Sequence, residues 1–213
     1  MHTHLVIMAK APVAGQVKTR LVPALGEQGS ADLAQAMLLR TVTTALACRG
    51  EHLVSVTLCA SPAPGHPDWQ GVSLPSALQW VDQGTGDLGQ RMARAVQTRL
   101  HKSERVMLIG TDCPALTPAL LQEAAAALDT HDVSLLPTTD GGYALLGLRS
   151  WQAVFDDMPW STNAVCTLTL ARLAHASVWI GPVVHDIDEP QDLVHWPDQA
   201  GLMALRARTS HAV

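Results

Sequence analysis

The chain has 213 residues, of which 47% are hydrophobic and 15% are charged, so it is long and apolar enough to bury a full core. A formal net charge of -5 and the absence of any run of Lys or Arg argue against a nucleic-acid partner. No apolar stretch has the length of a membrane span, and the four Cys form no CxxC pair. We therefore expect one cytoplasmic domain over residues 1–213, without a membrane partner.

The predicted strands and helices alternate along the chain. Short apolar runs bounded by turn residues predict strands at residues 4–9, 53–60, 78–81, 106–110, 133–137 and 143–148. Apolar residues at helical spacing predict helices from Ser30 to about Cys48, over 88–100, over 117–128, and from Ser161 or Thr162 to about His175. Residues after about 196 are expected to form a tail or lid.

This order of elements predicts an α/β fold. Continuously apolar strands that alternate with amphipathic helices are typical of a mostly parallel sheet, because right-handed crossovers place the helices on both of its faces. We therefore expect a three-layer α/β/α sandwich of the doubly wound type. In such sheets ligands bind outside the carboxyl ends of the strands, so the polar segments that follow the strands are the first candidates for a site.

The first candidate segment follows the first predicted strand. It contains Lys10, Gly15, Lys18 and Arg20, so three cations and a glycine lie within eleven residues. Backbone amides of a Gly/Pro loop can bind phosphate, and Lys and Arg can neutralise it. The loop is not a Walker loop, because GxxxxGK[ST] is absent. The alternative is a basic loop that is merely solvated.

The second candidate segment is a glycine-rich turn that leads into a predicted helix. Its candidate nucleotide-binding residues are Gly86, Asp87, Gly89 and Arg91. A helix start favours an anion or the edge of a nucleoside. Asp87 has a second interpretation, as a simple helix N-cap.

The third candidate segment places Asp112 directly after the strand predicted at 106–110. A carboxylate at a strand end is the kind of hard oxygen ligand that Mg²⁺ or Mn²⁺ needs while the metal also holds phosphates. The alternative is that Asp112 only caps its loop, as Asp often does.

The fourth candidate segment pairs Asp140, Gly141 and Gly142 with Asp186 and Asp188. In an extended chain Asp186 and Asp188 point to the same face, so both could approach the metal held by Asp112. Asp188 also precedes Glu-Pro, where a helix-capping Asp is expected, so its metal role and its capping role both stay open. Trp160, which precedes a predicted helix, is a candidate for lining an acceptor pocket, or else packs in the core.

Six ungapped motifs, in this order, carry a family resemblance: AKAPVAGQVKTRL, GDLGQRM, GTDCPALTPALL, DGGYALLGL, PWST and DIDEPQDL. They resemble the radical-SAM/selenodomain-associated transferase family, which has the GT-A nucleotide-diphospho-sugar transferase fold. Two related families, 2-phospholactate guanylyltransferase and molybdenum cofactor guanylyltransferase, share a cationic first loop and an acidic residue in an Asp-x-Pro setting. By this resemblance Lys18 and Arg20 contact a triphosphate and Asp112 holds Mg²⁺.

Three functional hypotheses follow. The preferred one is metal-dependent nucleotidyl transfer from an NTP to a small anionic acceptor, with Lys18, Arg20 and Asp112 as the catalytic residues. The second is glycosyl transfer from an NDP-sugar, with Asp140 as the base, although the Asp-x-Asp typical of such enzymes is absent. The third is a nucleotide-binding regulatory protein without turnover.

Overall fold

The computed structural model describes residues 2–50, 52–76, 78–100, 102 and 105–209. Within these residues the strands are β1 Thr3–Lys10, β2 Leu53–Ser61, β3 Gln79–Asp82, β4 Arg105–Ile109, β5 Val133–Pro137, β6 Tyr143–Leu148 and β7 Val178–Ile180. The α-helices of the same residues are α1 Val22–Ala47, α2 Leu88–Leu100, α3 Pro118–Ala127, α4 Val165–Arg172 and α5 Gln199–Thr209. Short 3-10 helices cover Thr19–Leu21, Pro67–Trp69 and Pro190–His195.

The strands form one sheet in the order β3-β2-β1-β4-β6-β5-β7. All neighbouring pairs are parallel except β4–β6 and β5–β6, so β6 alone runs against the others. The carboxyl ends of β1 to β5 and the amino end of β6 therefore lie at the same edge of the sheet. This confirms the predicted mostly parallel α/β sheet, and it brings the four candidate segments to one edge.

Both faces of the sheet are buried. In β1, Leu5 and Ile7 belong to the apolar cluster that contains residues of α1 and α3, whereas Val6 belongs to the cluster that contains residues of α2. Alternate residues of one strand thus pack into two cores, one on each face of the sheet. This is why the sequences of the strands are continuously apolar. The result is the predicted three-layer sandwich.

The helix starts differ from the predictions at two places. Helix α1 begins at Val22, where Pro23 suits the first turn, and it contains a kink at Gly26. Ser30 was predicted as the N-cap, but it is fully buried inside α1. Helix α4 begins at Val165, after an N-cap residue, Ala164, that cannot cap through its side chain. Local patterns missed both starts because neither depends on a capping side chain.

The carboxyl-terminal segment is packed rather than loose. Trp196 and Leu202 are buried in a third apolar cluster with residues of α1, and α5 lies against α1. Residues 199–209 thus form a helix that lies against α1, and residues 210–213 lie outside the described residues. The tail or lid after about residue 196 stays a prediction. Strand β7 was not predicted, because three residues at the edge of a sheet give too short a pattern. Among the described residues, no helix is both long and apolar enough to cross a membrane.

Candidate functional site

Lys18 is the centre of the candidate site. Its backbone has a left-handed conformation, with φ of 47° and ψ of 43°, which is uncommon for a residue with a side chain. Only 8% of its side chain is exposed, although the side chain carries a positive charge. A strained backbone and a buried ammonium group persist only where surrounding contacts hold them.

Those contacts join three segments that are far apart in the sequence. Lys18 Nζ lies 2.6 Å from Asp112 Oδ1 and 2.7 Å from Asp188 Oδ1. It also donates to the carbonyl of Ile187 at 2.6 Å. The Ile187 amide in turn donates to the carbonyl of Asp112 at 2.8 Å. The structure thus brings together Lys18, Asp112 and Asp188, three of the predicted site residues.

The environment of Lys18 keeps its ammonium group charged. Burial acts to lower the pKa of Lys18, but the nearby carboxylates of Asp112 and Asp188 outweigh it, so the pKa is raised above its ordinary value. An ammonium group has three N–H donors, and three acceptors within the protein surround this one. In this conformation Lys18 positions two carboxylates and has no donor left for a phosphate.

Four carboxylates gather at this edge of the sheet. Burial first, and then the negative charges of Asp140, Asp188 and Asp112, raise the pKa of Asp186 to about 6. Asp140 closes its own turn, because its Oδ1 accepts from Thr138 Oγ1 at 2.5 Å and from the Gly142 amide at 2.8 Å. Negative charges therefore lie close enough to Asp186 to affect it, and they outnumber the single positive charge of Lys18.

Asp188 does not cap the 3-10 helix that follows it. The carboxylate of Asp192 accepts from the amides of Asp188 at 3.1 Å and Glu189 at 2.7 Å, at the start of the 3-10 helix Pro190–His195. Asp188 Oδ1 instead contacts Lys18. The capping interpretation of Asp188 is therefore wrong.

The fit to a metal ion is incomplete. The surplus of carboxylates suits a divalent cation, whose ligands are hard oxygens. However, over the ranges that the structure describes, no three His, Cys, Asp or Glu side chains are arranged to hold a metal. Lys18 fills the space between Asp112 and Asp188. The metal site at Asp112, Asp186 and Asp188 stays a prediction.

Arg20 and Lys10 face outward from the same loop. The side chain of Arg20 is 61% exposed, and its Nη1 lies 3.7 Å from Glu189 Oε1, which is a weak surface ion pair. Lys10 Nζ donates to the carbonyl of Gln16 at 2.9 Å, across the loop. Gly15, with φ of 74°, allows the turn between them. These two cations, unlike Lys18, can reach a ligand from solvent.

The turn before α2 also lies at the carboxyl edge. Asp87 Oδ1 accepts from the Gln90 amide at 2.8 Å, and Gln90 Oε1 accepts from the Asp87 amide at 3.1 Å, so Asp87 caps α2 as its second interpretation predicted. Arg91 Nε donates to the Gly86 carbonyl at 2.8 Å and stabilises the turn. A Cβ at Gly89 would overlap the carbonyl of Phe155, so this glycine permits close packing.

Gln83 anchors that turn, and sequence reasoning missed it. Its side-chain amide is buried and donates to the carbonyls of Ala9 at 3.0 Å and Cys59 at 2.9 Å, near the ends of β1 and β2. Arg91 Nη1 lies 3.5 Å from Gln83 Oε1. The signal in the sequence was weak, because Gln83 is one of several polar residues near the end of the strand predicted at 78–81.

The glycines after Asp140 have a packing role. Gly141 has φ of 90°, and a Cβ there would overlap the backbone of Asn163. The Cys166 amide donates to the Gly141 carbonyl at 2.8 Å, which attaches the start of α4 to this turn. Nothing in this arrangement requires a phosphate to explain Gly141.

Two stacked histidines, one of them adjacent to Asp186 in the sequence, were also missed. The rings of His185 and His195 stack with centroids 3.8 Å apart, and His185 Nδ1 lies 3.2 Å from Thr139 Oγ1. Their positions ten residues apart gave no metal-ligand spacing, so the sequence offered no signal for this contact.

A cleft of about 320 Å³ opens between the start of α2 and the segment that precedes α4. Its lining residues combine acidic, amide and apolar side chains: Asp87, Gln90, Phe155, Asp156, Asp157, Met158 and Trp160. Arg172 donates to the backbone carbonyls of Asp156 and Asp157, so their carboxylates are not needed to hold the loop. Trp160 thus lines a cleft of a size suited to a small molecule.

Structural comparisons agree with this fold. A crystal structure from Desulfovibrio desulfuricans G20, described as a "putative nucleotide-diphospho-sugar transferase", has a TM-score of 0.85 and 26% identity, with 98% of each chain covered. The 2-C-methyl-D-erythritol 4-phosphate cytidylyltransferase of Thermus thermophilus has a TM-score of 0.51 and 15% identity, with 97% of this chain and 100% of that chain covered.

A third similar structure is Rv0371c of Mycobacterium tuberculosis H37Rv in complex with manganese, with a TM-score of 0.53 and 14% identity over 92% of this chain and 97% of that chain. At such identities the last two relatives show the GT-A-like fold alone. A search of curated proteins found no match to this chain. The model of a family described as "Uncharacterized protein conserved in bacteria (DUF2064)" matches residues 41–162, more than half of the chain. The chain therefore belongs to the DUF2064 family.

Proposed function

We propose that the protein is a nucleotide-using transferase whose preferred reaction is nucleotidyl transfer from an NTP to a small anionic acceptor. The observation that carries this proposal is the convergence of the segments after β1, β3 and β4 at one edge of the sheet, through the contacts of Lys18 and Gln83. The nucleotide would lie between the loop of residues 10–20 and the turn of residues 86–91. Ligands of doubly wound sheets bind at this edge.

In the proposed reaction an acceptor oxygen attacks the α-phosphorus of the NTP. The new P–O bond forms as the bond to the β-phosphate oxygen breaks, and pyrophosphate leaves with the bonding electron pair. Arg20 and Lys10 can stabilise the leaving negative charge, because both point outward from the loop. An acceptor that is already anionic needs no base. Lys18 and Asp112 contribute by holding each other in position at the site.

A divalent metal, Mg²⁺ or Mn²⁺, would supply further neutralisation of the phosphates if bound by Asp112 with Asp186 or Asp188. In the ligand-free protein Lys18 lies between Asp112 and Asp188, where such a metal would bind. The structurally similar cytidylyltransferase supports the expectation of a nucleotide substrate. The structurally similar manganese complex supports the expectation of a metal. The narrower grouping with radical-SAM/selenodomain-associated transferases belongs to the same proposal.

The test is a screen of the purified protein with NTPs or NDP-sugars, Mg²⁺ or Mn²⁺ and candidate acceptors, analysed by mass spectrometry. Nucleotidyl transfer releases pyrophosphate and gives an acceptor that carries a nucleoside monophosphate. Glycosyl transfer instead releases nucleoside diphosphate and leaves a glycosylated acceptor. Release of neither product across the panel would contradict both proposals.

One observation favours glycosyl transfer as the second candidate. The cleft beside Trp160 contains three carboxylates, those of Asp87, Asp156 and Asp157, which would repel an anionic acceptor. Carboxylates and an indole face suit a hydroxyl-bearing acceptor such as a sugar better. Asp140, proposed as the base of that reaction, lies in the turn after β5. The chemical class of an acceptor that binds in this cleft would decide between nucleotidyl transfer and glycosyl transfer.

A further inference from the structure

The contacts of Lys18 bear on how this site handles cations. We propose that the ammonium group of Lys18 is the resident cation of the Asp112–Asp188 pair, and that a divalent metal ion binds this pair only when Lys18 leaves it. The two occupants are then mutually exclusive. In the ligand-free protein Lys18 is a positioning residue that holds the two carboxylates together.

The space between Asp112 and Asp188 has room for one cation. One nitrogen lies 2.6 Å from Asp112 Oδ1 and 2.7 Å from Asp188 Oδ1, so it occupies the space between the two oxygens. A Mg²⁺ ion bound to both oxygens would stand about 2.1 Å from each. It would then lie against the ammonium group, with the same sign of charge and no solvent between them. These two oxygens can therefore hold one of the two cations but not both.

The surroundings of Lys18 also hold its ammonium group in this position. The carbonyl of Ile187 accepts its third N–H at 2.6 Å, and 8% of its side chain is exposed. Its backbone adopts a left-handed conformation at φ of 47°, which costs free energy unless contacts repay it. A lysine that merely rested on two surface carboxylates would show neither the third acceptor nor the strained backbone.

The proposal concerns metal alone, in the absence of nucleotide and turnover. If this proposal fails, the proposed transfer reaction is unaffected, because the mass-spectrometric screen tests that reaction separately. The probe is Mn²⁺, whose binding can be followed by electron paramagnetic resonance without any substrate.

The first experiment compares Mn²⁺ affinity of the wild type with Lys18→Met, which keeps an unbranched side chain and removes the charge. We expect Lys18→Met to bind Mn²⁺ at least about tenfold more tightly, since the charge-assisted hydrogen bonds that compete with the metal are gone. The gain should disappear in Lys18→Met combined with Asp188→Asn. Arg20→Met is the matched control, because it removes an exposed cation from the same loop and should change the affinity by less than about threefold. An unchanged or weaker affinity in Lys18→Met would overturn the proposal.

The second experiment uses the wild type and does not depend on the folding of a variant. The chain has only three lysines, Lys10, Lys18 and Lys102, so acylation of amines followed by mass spectrometry resolves each one. Without metal, Lys18 should react far more slowly than the exposed Lys10 and Lys102. Where Mn²⁺ binds, Lys18 should become reactive, and where Mn²⁺ fails to bind, Lys18 should stay protected. A reactive Lys18 without metal, or a protected Lys18 with Mn²⁺ bound at Asp112, would overturn the proposal.

Discussion

Lys18 and Arg20 are cations two residues apart in one loop, but their surroundings differ. The side chain of Lys18 is 8% exposed and lies among three acceptors, whereas that of Arg20 is 61% exposed and has one carboxylate at 3.7 Å. A sequence motif treats them as equivalent phosphate ligands. The structure separates them into an inner cation that organises carboxylates and an outer cation that can meet a ligand.

The largest expected effect is a loss of folding stability when the inner cation, Lys18, is removed. Lys18→Met leaves Asp112 and Asp188 without their cation, so we expect the free energy of unfolding to fall by about 2 to 4 kcal/mol. The loss stays below that of a fully buried pair, because the two carboxylates are 48% and 42% exposed. Urea denaturation measures it. Arg20→Met, the matched control, should change stability by less than about 0.5 kcal/mol, and equal losses in both variants would contradict the distinction.

The next effect concerns Asp112, the carboxylate that Lys18 holds. Asp112→Asn keeps the shape and an oxygen acceptor for Lys18 but removes the negative charge. We expect turnover of the substrates found in the screen to fall by about two orders of magnitude, with the fold retained. Turnover and metal titration should be measured beside the melting temperature. Full activity with an unchanged metal response would show that Asp112 is only structural.

The outer cation gives the third prediction. Arg20→Ala should weaken nucleotide binding by about 1.5 to 3 kcal/mol, the usual worth of a charge-assisted hydrogen bond. Isothermal titration with each NTP measures the loss, and stability should hardly change. Asp32, a partly buried residue of α1, offers a control: Asp32→Asn removes one charge outside the segments proposed to bind nucleotide. If Arg20→Ala and Asp32→Asn bind nucleotide equally well, the loop is not a phosphate site.

Much of the fold could be predicted from the sequence, because both faces of the sheet are buried. Continuous apolar runs located six of the seven described strands, and the topology then placed the segments that follow them at one edge. The contacts within the site could not be predicted in this way. Lys18 and Asp188 are 170 residues apart, and no local pattern shows that the lysine turns inward. Gln83 is missed for the same reason, since its partners are carbonyls of two other strands.

The smallest expected effect tests whether burial and the neighbouring carboxylates disfavour the ionised form of Asp186. The pKa of Asp186 is raised to about 6, first by burial and then by Asp140, Asp188 and Asp112. A folded-state pKa above the unfolded value near 3.8 means that the folded protein binds the proton more tightly. The stabilisation is therefore full below about pH 4 and is lost as the pH rises through about 6. After discounting for solvent around this half-buried group, we expect about 1 kcal/mol.

Asp186→Asn isolates this contribution, because it removes the charge and keeps the shape. At pH 7 the variant should be about 1 kcal/mol more stable than the wild type, and at pH 4 the two should unfold at the same urea concentration. Asp132→Asn is the opposite control, since hydrogen bonds from Ser177 lower the pKa of that carboxyl and Asn should destabilise the protein at pH 7. If Asp186→Asn is as stable as the wild type at both pH values, then neither burial nor the neighbouring carboxylates disfavour the ionised form of Asp186.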